Sequence, residues 1–156
     1  ASATLINPEE RRFILMKCPF DNPPEDEVFI RTKKFYGIYN LKPIVPGHVM
    51  IIPNKHKTSL MDLNKAELTE LFETCKKALR AIAKVYKTNQ FNLAIQEGKD
   101  AGQSVNHLHV HLLPREKGDL NKPWIKVLGE SHKRAETPKE ERVKQTKLLE
   151  TAIKKV

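Results

Sequence analysis

A chain of 156 residues suits one domain, and at this size roughly two thirds of the unfolded surface can be buried without disulfides or structural metals. Two cysteines, Cys18 and Cys75, make no disulfide framework and point to a reducing, cytoplasmic or also nuclear setting; no apolar run nears the roughly 18 residues of a membrane span, and Ala1 to Glu10 lacks a secretory pattern. The formal charge of +9 favours anionic ligands, but residues 115–156 alone hold 12 Lys+Arg against 7 Asp+Glu, and mixed charge along a helix reads as a solvated face before it reads as a nucleic-acid surface.

Asn7-Pro8-Glu9-Glu10 combines a cap residue, a proline at the first helical position and an acidic first turn, and predicts a short helix. Pro19, Pro23 and Pro24 then punctuate the chain. From Glu27 the pattern turns to β: Val28-Phe29-Ile30, Phe35 to Tyr39 and Val49 to Ile52, separated by Thr32-Lys33-Lys34 and by Pro43 to Gly47, predict an antiparallel meander. After Leu63, apolar residues recur at Leu68, Leu71, Phe72, Cys75, Leu79, Ile82 and Tyr86, the spacing of an amphipathic helix. Asn64 with Glu67 forms a capping pair, Leu63 with Leu68 suits a hydrophobic staple, and Asn89 follows the end. Two further strands are predicted at Gln90 to Gln96 and Val105 to Leu113, joined by a loop holding Gly98 and Gly102. Thr137-Pro138-Lys139-Glu140 repeats the cap signature and opens a basic C-terminal helix to about Lys155. The whole is one α+β domain: about five antiparallel strands packed by one long helix, with an N-terminal extension over 1–26, a motif-bearing core over about 27–120 and a C-terminal helix over about 137–155.

Three of the six histidines fall in His107-Leu108-His109-Val110-His111. On a strand, side chains alternate faces, so the three imidazoles share one side while Leu108, Val110 and Leu112 enter the core. His-x-His on a strand can chelate zinc. At about 3.3 Å per residue, however, His107 and His111 stand roughly 13 Å apart, against zinc–nitrogen bonds of about 2 Å, so one metal cannot hold all three. A site would need another ligand, such as His48 or His56, and Cys18-Pro19-Phe20-Asp21 lacks the second cysteine of a CxxC pair. No tightly held metal is therefore expected. A neutral imidazole is a good nucleophile at phosphorus, and like-charge repulsion within the cluster keeps the central one, His109, unprotonated. The glycine loop is not a P-loop, because no Gly-Lys-Ser/Thr follows at the required spacing.

These residues resemble the motif of the histidine triad superfamily. Gln96-Glu97-Gly98-Lys99-Asp100-Ala101-Gly102-Gln103-Ser104-Val105-Asn106, with the Leu113-Pro114-Arg115 ending and the upstream Asn40 to Val49 segment, is similar to its fragile-histidine-triad branch. The resemblance implies a HIT-like fold in which His109 is the nucleophile, His107 and His111 orient it and handle the leaving group, and His48 supports them. It further implies phosphate contacts from Gln96, Gln103 and Ser104 and a ribose contact from Asn40. Phe29, Ile38 and Leu41 are the candidates for an apolar base pocket, although Phe29 and Ile38 equally suit plain core.

The reaction implied is hydrolysis of a dinucleoside polyphosphate, such as diadenosine triphosphate to AMP and ADP, through a nucleotidyl-histidine intermediate. Mg²⁺ or Mn²⁺ would arrive with the substrate phosphates, without dedicated protein ligands. The resemblance also implies a homodimer whose sheets join, with the triad strand at or near the open edge of the sheet. Three readings remain beside it: a nucleoside phosphoramidase or adenylyl hydrolase with the same nucleophile, a slow nucleotide-sensing module, and a nucleic-acid-processing relative, for which no base-stacking aromatic run is present. Trp124 has no assigned role.

Overall fold

The computed structural model describes residues 18–156 together with Asn7 and Pro8. Pro8 is helical, and the rest of the helix expected there lies outside the described residues. Five strands, β1 (Val28–Arg31), β2 (Phe35–Tyr39), β3 (Val49–Pro53), β4 (Phe91–Ile95) and β5 (Val110–Pro114), form one sheet. Its order is β1-β2-β3-β5-β4, and every pairing is antiparallel. The α+β expectation holds.

The long helix α1 (Lys65–Tyr86) begins where the capping pair placed it. The Asn64 side chain accepts from the Glu67 amide at 2.9 Å, and the Glu67 carboxylate accepts from the Asn64 amide at 3.2 Å, which satisfies two of the donors a helix start leaves orphaned. Leu63 and Leu68 join the same apolar cluster, as a staple requires. The helix ends on Lys87, the single non-glycine residue at positive φ (54°) among those described.

One face of the sheet packs on α1: Val49, Ile51, Val110 and Leu112 meet Leu71, Cys75, Ala78 and Ile82. Each fully buried Leu, Ile or Val side chain contributes roughly 1.5–3 kcal/mol by leaving water. The buried stripe is rotated from the simplest reading of the pattern. Phe72 stands exposed, while Thr74, Ala78 and Ala81 face inward, because alanines let the helix lie close to β3 and β5.

On the same side, β1 carries a bulge between Val28 and Ile30 that sets both Phe29 and Ile30 near Gly37. A Cβ at Gly37 would sit 2.7 Å from Ile30, 2.8 Å from Phe29 and 2.9 Å from Ile51. The absent side chain is therefore what lets the bulge pack. The opposite face carries a smaller cluster, Phe20, Val28, Tyr36, Met50 and Ile52, and it is there that the histidines gather.

Beyond the sheet, a short helix α2 (Trp124–Gly129), not anticipated from the pattern, precedes α3 (Lys139–Ile153). The latter packs on α1 and β1 through Thr146, Leu149 and Ala152, with Arg142 paired to Glu27 at 2.7 Å. Trp124 opens α2.

Candidate functional site

The strand expected over Val105 to Leu113 begins only at Val110. Its ladder partners run out there: β3 meets β5 no further than Ile51 with Val110, and β4 no further than Ile95 with Val110. Upstream, the chain bends, and the Leu108 amide bonds the Lys57 carbonyl at 2.7 Å. Only His111 lies in regular strand, and the single row of three imidazoles expected from alternation is divided. The rings of His109 and His111 lie 4.8 Å apart, centroid to centroid. The Phe20 ring stands edge-on to both His107 (5.9 Å) and His109 (5.2 Å), while His107 neighbours His56 at 4.8 Å.

The hydrogen-bond network assigns a tautomer to each ring. His109 Nδ1 lies 2.7 Å from the His107 carbonyl oxygen, which can only accept, so Nδ1 carries the proton and Nε2 keeps its lone pair. That Nε2 has no hydrogen-bond partner among the described residues. His48 Nδ1 accepts from the Ile44 amide at 3.1 Å, so its Nε2–H donates to His111 Nδ1 at 2.9 Å. His111 is left with Nε2–H as a donor. His107 Nε2–H donates to the Pro53 carbonyl at 2.9 Å.

Burial suppresses protonation throughout. It holds His48 at about 3 and His111 at about 2, with the Arg134 charge adding to both and His109 and His48 repelling His111. His109 is also lowered, first by burial and then, against the favourable pull of the His107 carbonyl, by repulsion from His107. Neutral imidazoles at ordinary pH follow.

Asn40, His48 and the 40–47 loop are assembled by backbone. The Asn40 amide bonds the His48 carbonyl at 2.9 Å, and Asn40 Oδ1 accepts from the Lys42 amide at 2.8 Å. Its Nδ2 sits 3.2 Å from His48 Nε2. Asn40 is thus buried and occupied in shaping the loop. Gly47, at φ 90°, passes so close to Tyr86 and Pro114 that a Cβ would lie 2.7 Å from each, which requires glycine.

Two contacts fasten this loop from far along the chain. Arg134 Nε donates to the Lys42 carbonyl at 2.7 Å while one of its terminal nitrogens donates to Val127 and Leu128 carbonyls, each at 2.8 Å. The Thr137 amide donates to the Leu41 carbonyl at 2.8 Å.

The glycine loop closes on itself. The Gln103 Oε1 accepts from the Gly98 amide at 2.8 Å, and Gln96 Nε2 lies 2.6 Å from where a Gly102 Cβ would be. Glu97 anchors the loop through the Ser59 hydroxyl (2.9 Å) and the Leu60 amide. The register that ends on Ile95 with Val110 carries Gln96 alongside His109. Gln103 Nε2 is buried without a partner, and Ser104 is exposed.

Of the expected base-pocket residues, Ile38 lies on the histidine face and Leu41 is 41% exposed. Phe29 is a correction: the bulge turns it onto the α1 side, in the main core, and Val28 takes the histidine side instead. Sequence reasoning missed Phe20, Asp21 and Arg134. The signal available was Cys18-x-x-Asp21 with His56, set aside for want of a second cysteine; for Arg134 there was none.

A five-stranded antiparallel sheet with a buried histidine cluster on the face opposite its long helix describes a histidine triad architecture. A model of the HIT domain matches residues 23–118, and the chain belongs to the HIT domain family. It is 46% identical over 99 residues to the asymmetrical bis(5'-nucleosyl)-tetraphosphatase of Schizosaccharomyces pombe, covering 64% of this chain and 54% of that one. It is also 46% identical over 100 residues to bis(5'-adenosyl)-triphosphatase of Saccharomyces cerevisiae, covering 61% of this chain and 48% of that one. The crystal structure of Plasmodium falciparum diadenosine triphosphate hydrolase in complex with cyclomarin A superposes with TM-score 0.68 at 30% identity, covering 85% of this chain and 80% of that chain. The chain spans about half the length of the two curated relatives.

Proposed function

We propose that this chain hydrolyses dinucleoside polyphosphates, diadenosine triphosphate to AMP and ADP being the model reaction. One observation carries the reading: His109 is tautomer-locked by the His107 carbonyl, so that its Nε2 presents a free lone pair held neutral by burial. In the first displacement Nε2 attacks the α-phosphorus, the bond to the bridging oxygen breaks, and the nucleoside diphosphate leaves. Water then attacks the nucleotidyl-histidine, releasing AMP and restoring the imidazole. His111, with Nδ1 occupied by His48, offers its Nε2–H to phosphate oxygen.

The unpartnered amide nitrogen of Gln103 suits an anionic oxygen, since a buried donor without an acceptor costs about 1–3 kcal/mol until a ligand supplies one. Gln96 and Ser104 extend the same phosphate lining, and Mg²⁺ or Mn²⁺ accompanies the substrate. Asn40 acts on the nucleoside through the loop that it and Arg134 hold, and Ile38 and Leu41 line the base side. The names borne by the relatives support this substrate class.

A homodimer formed across β4 completes the proposal. β4 is an edge strand with Leu93 44% exposed, whereas the other edge, β1, is four residues long, bulged and flanked by α3, features that discourage strand pairing.

The deciding experiment mixes the protein with diadenosine triphosphate and Mg²⁺, separates products by chromatography, and runs His109→Asn in parallel with calorimetric binding. AMP and ADP from wild type only, with the variant still binding, support the assignment; the expected loss is about four orders of magnitude or more in kcat. Cleavage of adenosine phosphoramidate in place of diadenosine triphosphate would shift the protein to the phosphoramidase reaction. Tight binding without turnover of either would make it a sensor.

A further inference from the structure

On the far side of Phe20 from His111, four side chains from three distant stretches of chain converge: Cys18, Asp21, His56 and His107. Their ligand atoms all lie within 4.8 Å of one another. Cys18 Sγ is 3.5 Å from His107 Nδ1, Asp21 Oδ1 is 3.1 Å from the same nitrogen, and His56 Nδ1 is 2.8 Å from that oxygen. A tetrahedral zinc ion, with bonds of about 2.0–2.1 Å to nitrogen and oxygen and about 2.3 Å to sulfur, spaces its ligands about 3.3–3.7 Å apart. The cluster is within a few tenths of an ångström of that size. Asp21 and His56, whose side chains are 43% and 44% exposed, have the freedom to adjust.

The proton inventory asks for a cation here. His107 has given its Nε2–H to the Pro53 carbonyl, so a neutral ring turns a bare lone pair at Nδ1 toward a carboxylate oxygen and a sulfur. Two acceptors facing each other at 3.1 Å repel unless a positive centre lies between them. Burial opposes placing that charge on the imidazole itself.

We propose that Cys18, Asp21, His56 and His107 form a structural zinc site beside the catalytic histidines. The expectation that no metal is tightly held rested on the missing second cysteine of a CxxC pair; Asp21 stands where that cysteine would. A thiolate, a carboxylate and two imidazoles suit zinc and are too soft a set for magnesium or calcium. On binding, the Cys18 thiol loses its proton to solvent and Sγ bonds the metal; with the Asp21 carboxylate, two negative charges balance Zn²⁺. All four positions are filled by protein, so the ion activates no water.

Its effect is positional. Holding His107 by Nδ1 while Pro53 holds Nε2 fixes the residue whose carbonyl sets the His109 tautomer, and it ties residues 18–21 to the turn after β3. The site does not depend on which phosphorylated substrate the enzyme takes.

The test uses the full chain, stripped with EDTA and titrated with Co²⁺ as a spectroscopic stand-in for zinc. One equivalent of Co²⁺ is expected to give intense tetrahedral visible bands and a thiolate-to-cobalt charge-transfer band, both bleached by Zn²⁺. Cys18→Ser should lose the charge-transfer band, and His56→Ala, outside the hydrolytic machinery, should weaken zinc by more than about 100-fold. Cys75→Ser, with its thiol in the core under α1, should change neither. Circular dichroism checks that each variant is folded. No stoichiometric Co²⁺ binding by wild type, or a charge-transfer band that survives in folded Cys18→Ser but not in Cys75→Ser, overturns the proposal, as does unchanged zinc affinity in folded His56→Ala.

Discussion

Acidification from pH 7.5 to 5 should destabilise this protein through its buried histidines, and His48 allows the size of the effect to be worked out. In the unfolded chain a histidine protonates near pH 6.5, whereas folded His48 is held down to about 3 by burial and by the Arg134 charge. The stability that neutral His48 contributes is therefore complete above about pH 6.5 and is lost progressively as pH falls toward the folded value. At pH 5 the unfolded state has gained a proton the folded state cannot accept, which costs about 2 kcal/mol for this one residue. Asp21 and Asp119 also have lowered pKa values, through His56 and Arg115 respectively, but carboxylates act only below about pH 4 and leave this window clear. The assay is reversible urea unfolding at pH 7.5, 6 and 5 for wild type and His48→Gln, a glutamine keeping both a donor and an acceptor near Ile44 and His111. Whatever the variant loses at pH 7.5, its further loss on going to pH 5 should be smaller than that of wild type by about 2 kcal/mol. Equal losses in the two proteins would refute the reasoning.

Other perturbations test other parts of the structure. Gly37→Ala places a methyl within 2.9 Å of Ile30, Phe29 and Ile51 and should cost about 1–3 kcal/mol, read as a lowered melting temperature with activity retained per folded molecule. Arg134→Gln strips donors from three backbone carbonyls and should cost about 2–3 kcal/mol; KM for the nucleotide should rise more than kcat falls, and an unchanged KM would show that the loop holds its shape without the tail. Gln103→Leu removes the unpartnered amide nitrogen and should raise KM roughly tenfold at little cost in stability, one lost hydrogen bond to a charged group being worth about 1.5–3 kcal/mol.

The sheet, the long helix and its cap were legible because each rests on local pattern. Alternation marks β2 and β3, and the Asn64 and Glu67 pair fixes the start of α1 to the residue. What escaped were features decided by partners distant in sequence. The triad segment looks like a continuous strand, but His107 and Leu108 leave the ladder because Pro53 and Lys57, more than fifty residues earlier, supply the carbonyls they bond. Phe29 was equally suited to core or pocket by composition, and a one-residue bulge against Gly37 decided between them. His48 was placed by resemblance, while its role as proton donor to His111 needs the Ile44 amide, which no periodicity reveals. Arg134 lies in a stretch whose mixed charge looked merely solvated, yet its guanidinium is half buried against carbonyls.

The fastening of the 40–47 loop by Arg134 and Thr137 bears on the order in which the molecule is made. Chains emerge from synthesis N-terminus first, and the contacts that close over long sequence separations form late. By the time residue 115 is available, all five strands and every triad histidine can be in place. The Lys42 carbonyl then waits for a guanidinium 92 positions downstream. A nascent protein would thus carry a chemically complete nucleophile before its nucleoside side is shaped, and competence for the nucleotide would arrive only with the segment made after the catalytic core.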